Sequence, residues 1–213
     1  IGPSLFPDFW VPLRGAEQAL VDFIRSSDVI GEIFRYYSEY VAAHTECCVR
    51  TNADAILIQG SASSTSLISP GTYRRYSLPL VKKITRLCRE AGIPSHQHTC
   101  GRSRHIIQMN YEETDLDVME PLEGPPTGDV DLAEVKGRFG GRLCLKGNIN
   151  TIVLLQEGRS GVEGAVRKAI EDAAPGGGFV LSTGDSPGAN TPDANVMEMA
   201  RSAREYGRYR SGP

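Results

Sequence analysis

No stretch of this chain is apolar for long enough to span a bilayer, which excludes an integral helical membrane protein. A basic-then-apolar leader is lacking as well, so no export signal is expected. Arginine and lysine form no stripe interleaved with aromatics. With a formal net charge of -3 from 26 acidic and 23 basic residues, this argues against a nucleic-acid partner. The five cysteines (Cys47, Cys48, Cys88, Cys100 and Cys144) are odd in number and follow no disulfide-framework spacing, which fits a reducing, cytoplasmic setting. No Gly-x-Gly-x-x-Gly follows an apolar strand, so a dinucleotide-binding fold is not expected. Tandem repeats and low-complexity segments are absent from the sequence too. The chain opens on Ile1 instead of methionine, and an N-terminal segment is expected to precede it.

What remains is an alternation of short apolar strands and amphipathic helices. The 213 residues suffice for one domain or for part of a larger one. Strands are expected at 54–59, 96–100, 117–122, 143–148 and 179–183, and helices at 69–90, 103–112, 131–139 and 160–174. Ser69 is a natural N-cap ahead of Pro70, Pro79 should kink or break the first of these helices, and Gly92 should stop it. Thr191-Pro192-Asp193 should cap a last helix ending at Gly207, with Val196, Met199, Ala200 and Ala203 on its buried face. Residues 61–66 read as a solvated serine loop. Gly176-Gly177-Gly178 precedes a strand and so reads as a tight turn, since a phosphate cradle would follow one.

Strand–helix alternation implies parallel strands joined by helical crossovers, either in an open doubly wound sheet or in part of a closed barrel. His98, Cys100, Glu120, Asn148 and Asp185 all fall at or just past the C-terminal ends of expected strands, where barrel enzymes carry their active face. The expected fold class is therefore α/β: the C-terminal five strand–helix units of a (β/α)8 TIM barrel, with residues 1–213 forming one partial domain and the N-terminal strands lying outside it.

The segment His96-Gln97-His98-Thr99-Cys100-Gly101 carries the most chemistry. Side chains alternate along a strand, so His96, His98 and Cys100 share a face. Imidazole and thiol donors together make half of a zinc site, with a third ligand still to be found. The plain alternative is a core histidine beside a buried thiol. With His98 and Cys100 as ligands, His96 is left to orient the site or pack behind it. Glu120 suits an acid–base role or a turn beside Pro121. Asn148, Ser61 and Ser64 are candidates for polar substrate contact.

Several motifs resemble the uroporphyrinogen decarboxylase superfamily: His-Thr-Cys-Gly at 98–101, Leu-Lys-Gly-Asn at 145–148, Pro-Gly-Gly-Gly-Phe-Val-Leu-Ser-Thr-Gly at 175–184, Asn-Thr-Pro at 190–192 and Glu-Tyr-Gly-Arg-Tyr at 205–209. The resemblance implies a (β/α)8 barrel and points to the superfamily's zinc-dependent methyltransferases that serve corrinoid proteins. There the other zinc-binding cysteine precedes a Thr-Pro, and counting back from Thr191-Pro192 puts Asp185 in its place. The implied metal ligands are thus His98, Cys100 and Asp185, with Glu120 and His96 as catalytic candidates. The implied cofactors are Zn2+ and a corrinoid supplied by a partner protein, and the other substrate is a small methylated compound. Homodimerisation is compatible with the sequence. The superfamily's decarboxylases, which work without cofactor on a polycarboxylate tetrapyrrole, are the alternative, and a non-catalytic tetrapyrrole-binding barrel is a third.

Overall fold

A computed structural model of the protein describes residues 2–25 and 28–208. Tyr209, the last residue of the 205–209 motif, lies outside them. The chain divides into two compact units, Ile1–Met119 and Glu120–Pro213. Among the described residues five strands follow in the sheet order β1-β2-β3-β4-β5.

The first unit opens with three helices, α1 (Phe6–Arg14), α2 (Ala16–Arg25) and α3 (Asp28–Val49). Before α1 the chain runs alongside β1 (Ile56–Gln59): Leu5 N donates to Gln59 O at 2.8 Å, and Gln59 N to Pro3 O at 3.0 Å. The start of α1 therefore stands at the C-terminal end of β1. Phe6 anchors this region, its ring 5.3–5.9 Å from those of Phe23, Phe34, Tyr37 and Tyr76. Such tilted and edge-on aromatic pairs add to what their burial contributes.

The expected 69–90 helix is two. The first, α4 (Pro70–Tyr76), is capped by Ser69, whose Oγ accepts the Thr72 amide at 3.0 Å; the second, α5 (Leu78–Ala91), is stopped by Gly92 in a left-handed conformation. The break falls at Ser77, just ahead of Pro79, because proline is tolerated in the first turn of a helix and not in its middle. Strand β2 (Ser95–His98) pairs parallel with β1 from Ile56↔Ser95 to Gln59↔His98. Helix α6 (Arg104–Glu113) and strand β3 (Val118–Glu120) complete this stretch, β3 stopping short of the expected 117–122.

The second unit carries α7 (Leu132–Phe139), β4 (Cys144–Ile149), α8 (Thr151–Gln156), α9 (Arg159–Ala173), β5 (Phe179–Thr183) and α10 (Asp193–Tyr206). Strands β4 and β5 pair parallel from Leu145↔Phe179 to Ile149↔Thr183. Helix α9 buries Val162, Val166, Ala169 and Ala173. Gly176, Gly177 and Gly178 all take positive φ in the turn before β5, which L side chains disfavour, and Lys136 Nζ donates to Gly177 O.

Helix α10 departs from expectation. Its N-cap is Pro192, without a side-chain cap, and its fully buried residues are Asn195, Glu198 and Ser202; Met199, Ala200 and Ala203 are half-buried, and Val196 is 41% exposed. Polar side chains sit there because their hydrogen bonds are complete. Asn195 Nδ2 donates to Leu154 O and Glu157 O at 2.9 and 2.8 Å, and Glu198 accepts from Arg201 and Ser202. No helix among the described residues is long and apolar enough to cross a membrane.

Candidate metal centre

Strand β2 presents two chemically different faces. Ser95 and Gln97 are buried, and Thr99, next in the alternation, is buried too; His96, His98 and Cys100 are half-buried. On the hidden face the Tyr73 hydroxyl donates to Asn110 Oδ1 at 2.9 Å, Asn110 Nδ2 to Gln97 Oε1 at 2.9 Å, and Gln97 Nε2 to Thr99 Oγ1 at 2.8 Å. Tyr73, Gln97, Thr99 and Asn110 are fully shielded from solvent. Burial holds the Tyr73 phenol far above its usual pKa, so it remains a donor. A closed polar network of this kind fixes strand orientation, since breaking one link leaves buried groups unpaired. The opposite parity then belongs to His96, His98 and Cys100.

The loop after β1 is fastened to the loop that follows Cys100. Thr65 N donates to Arg102 O at 3.0 Å, Thr65 Oγ1 to the same oxygen at 2.7 Å, and Arg102 N to Ser66 Oγ at 2.9 Å. Gly101 between them has φ 75°, and a Cβ there would lie 2.5 Å from Ser66 Oγ, so only glycine fits. The serine loop is less solvated than expected. Ser61 is exposed, but Ser63 and Ser64 are buried, and the Ser64 hydroxyl donates to Arg102 O at 3.3 Å. The loop serves first to pack against its neighbour.

In the second unit Glu120 is 8% exposed and forms an ion pair with Lys146 Nζ. Asn148 Nδ2 donates to Leu122 O at 3.1 Å. Gly147 lies so close to Pro121 that a Cβ would fall 2.0 Å from its carbonyl oxygen. Asp185 is half-buried, its Oδ1 accepting the Ser186 amide at 2.7 Å.

His98 and Cys100, on one face at the end of β2, offer an imidazole nitrogen and a thiol sulfur, and Asp185, past β5 in the second unit, offers a carboxylate oxygen. Nitrogen, sulfur and carboxylate oxygen are all ordinary zinc donors, and three protein ligands leave a coordination position for substrate. The donor set fits zinc.

Asp8 was not legible as a site residue, because an acidic residue in the first turn of a helix is commonplace. Its Oδ1 accepts Ala62 N at 2.7 Å and its Oδ2 accepts the Ser63 hydroxyl at 2.9 Å. Burial pushes its carboxyl up to about 6, against the opposing pull of those hydrogen bonds and of the His98 imidazole.

A parallel α/β chain with polar residues gathered at strand ends belongs to the class of folds that carry their chemistry on that face. The family is the next step. The model of the uroporphyrinogen decarboxylase (URO-D) family matches residues 11–206, and the chain belongs to that family. It is 24% identical over 179 residues to the methylcobamide:CoM methyltransferase MtbA of Methanosarcina mazei, a match covering 84% of this chain and 50% of that protein. It is 26% identical over 188 residues to the methylcobamide:CoM methyltransferase MtaA of Methanosarcina barkeri, covering 86% and 51%. It is also 25% identical over 190 residues to the uroporphyrinogen decarboxylase of Paraburkholderia phytofirmans, covering 87% and 49%. The chain thus spans about half the length of these curated relatives. Among solved structures, a methyltransferase from Methanosarcina mazei shares the fold, with a TM-score of 0.75 at 19% identity, covering 97% of this chain and 58% of that one.

Proposed function

We propose that this chain carries the metal-binding part of a methyltransferase that passes a methyl group to or from a corrinoid held by a partner protein. The observation that carries the reading is the shared parity of His98 and Cys100 at the end of β2, with Asp185 proposed as the third ligand. The similarity to methylcobamide:CoM methyltransferases supports it.

Bound there, zinc supplies Lewis acidity, which lowers the pKa of a thiol or polarises a methylated oxygen or nitrogen. Cys100 would serve as thiolate and His98 as neutral imidazole. Both must give up a proton to bind, so affinity falls as pH falls. Asp185 donates a harder oxygen where a second thiolate would neutralise more of the ion's charge, leaving a stronger acid for oxygen or nitrogen leaving groups. Glu120, ion-paired with Lys146, is proposed to handle the proton, and His96 to orient the site. Ser61 and Asn148 are proposed to contact substrate. Ser64, already bonded to Arg102 O, would contribute through loop position.

Similarity to uroporphyrinogen decarboxylases favours a second reading, cofactor-free decarboxylation, in which His98 contacts substrate and no metal takes part. Metal analysis separates the two. The full-length protein is expected to bind about one zinc per chain, and His98→Ala or Cys100→Ser to abolish both zinc and methyl transfer. A metal-free protein that decarboxylates a polycarboxylate tetrapyrrole would replace the first reading with the second.

A further inference from the structure

Cys100 stands beyond the last residue of β2, in the stretch 99–103 that leads to α6. The pairing of β2 with β1 ends at Gln59↔His98, before Cys100 is reached. What holds this stretch is the loop that leaves β1. At one end Gly60 lies flush against it: a Cβ there would fall 2.9 Å from both His98 O and Thr99 Oγ1. At the other end both polar groups of the Arg102 main chain are held. Its carbonyl accepts Thr65 N at 3.0 Å, Thr65 Oγ1 at 2.7 Å and Ser64 Oγ at 3.3 Å. Its amide donates to Ser66 Oγ at 2.9 Å. Cys100 lies between these two contacts.

The loop that grips is itself fastened. The Asp8 carboxylate accepts the Ala62 amide and the Ser63 hydroxyl, and Ser63 Oγ is bonded to Ser77 Oγ at 3.1 Å. Within the loop Ser66 N donates to Ser64 Oγ at 3.2 Å. Ser66 is exposed and Thr65 half-buried, so water could satisfy the Arg102 main chain there. What the two hydroxyls add over water is a fixed position, because a fastened loop carries them. That position matters to Cys100. A cysteine sulfur is one rotatable bond from its main chain, so the turn through Gly101, at φ 75°, and Arg102 decides where it stands.

We infer that Thr65 and Ser66 are positioning residues for the Cys100 thiol: they hold the Arg102 main chain and so fix the turn that places the sulfur. The use of that sulfur rests on the zinc reading above. The clamp goes further in assigning roles to two side chains outside the proposed ligand set.

The test is alkylation of the metal-free full-length protein by iodoacetamide at one pH, each cysteine being followed by peptide mass spectrometry. Ser66→Ala and Thr65→Val are each expected to raise the Cys100 rate about fivefold, the ratio set by the net worth of one hydrogen bond. Thr65→Ser keeps the hydroxyl and is expected to stay within about twofold of the native rate. Cys47, exposed on α3, and Cys88, fully buried on α5, are expected to react as in the native chain. Chelator competition supplies a second reading, in which Ser66→Ala is expected to weaken zinc binding about tenfold. An unchanged Cys100 rate in Ser66→Ala and Thr65→Val overturns the inference. So does a parallel rise at Cys88, which would mean that the first unit as a whole had loosened. Native zinc affinity in Ser66→Ala overturns it as well. A native protein that binds no zinc sinks the zinc reading instead, and the alkylation rates then decide the clamp by themselves.

Discussion

The strand that carries His98 and the strand that leads to Asp185 are held in different ways. Along β2, buried and half-buried residues alternate, and the buried side is tied down by the Tyr73–Asn110–Gln97–Thr99 network. Along β5 no residue is fully buried and Val180 is 47% exposed. What steadies the end of β5 is backbone bonding, with Gly184 N donating to Ile149 O at 2.7 Å, and the short local bond from Ser186 N to Asp185. His98 thus ends a rigid, internally bonded strand with Cys100 two residues beyond it, and the third proposed ligand sits on a turn. Pre-organised ligands set affinity, whereas a ligand on a turn can be exchanged with less disturbance to the fold.

The largest expected effect falls on the rigid side. Asn110→Ala breaks the hidden network at its centre: the Tyr73 hydroxyl loses its short acceptor and Gln97 Oε1 its short donor, and the two keep only their longer contacts with each other at 3.2 and 3.5 Å. A loss of about 2–4 kcal/mol of stability is expected. Urea denaturation reads it, and a loss below the usual range for one exposed hydrogen bond would show that β2 does not depend on the network.

Changes at the turn should be gentler on the fold and sharper on the metal. Asp185→Ala is expected to leave the unfolding midpoint within about 0.5 kcal/mol of the native value, as surface changes usually do, and to weaken zinc binding. Asp185→Cys should bind zinc more tightly than the native chain, since thiolate is a softer and stronger donor to this ion. Equal affinity in native, Ala and Cys forms would remove Asp185 from the ligand set.

The smallest effect is a pH dependence of the metal-free protein. The folded Asp8 carboxyl lies at about 6, above its ordinary 3.8, so the folded state holds its proton more firmly than the unfolded one. Its contribution to stability is therefore full below about pH 4 and is lost as pH rises through about 6. The shift corresponds to no more than about 3 kcal/mol, and competing groups reduce it. Asp8→Asn should flatten this part of the stability–pH curve, as read from unfolding midpoints between pH 4 and 7. An unchanged curve would mean that the carboxyl titrates alike in both states.

The β/α order and the extent of β5 were legible because short apolar runs and amphipathic stretches alternate cleanly from residue 54 onward. Helices α1 and α2 were not read, and of α3 (Asp28–Val49) only the end about His44, Cys47 and Cys48 reads as helix. Phe6 is buried against Phe34, Tyr37 and Tyr76, partners far away in sequence. The α10 stripe misled, because Asn195, Glu198 and Ser202 are buried by virtue of bonds that a hydrophobicity pattern does not register. At the site, the parity of His96, His98 and Cys100 followed from strand geometry alone. Asp8 could not be found that way. It is distant in sequence from Ala62 and Ser63, and only the parallel run of 3–5 along β1 brings it to them.

Cobalt(II) substitution of the full-length protein, followed by absorption spectroscopy, tests the ligand set most directly. The native protein should give a near-ultraviolet thiolate-to-cobalt charge-transfer band that disappears in both Cys100→Ser and His98→Ala. A band of full strength in Cys100→Ser, or no band in the native protein, would contradict a metal bound through that sulfur.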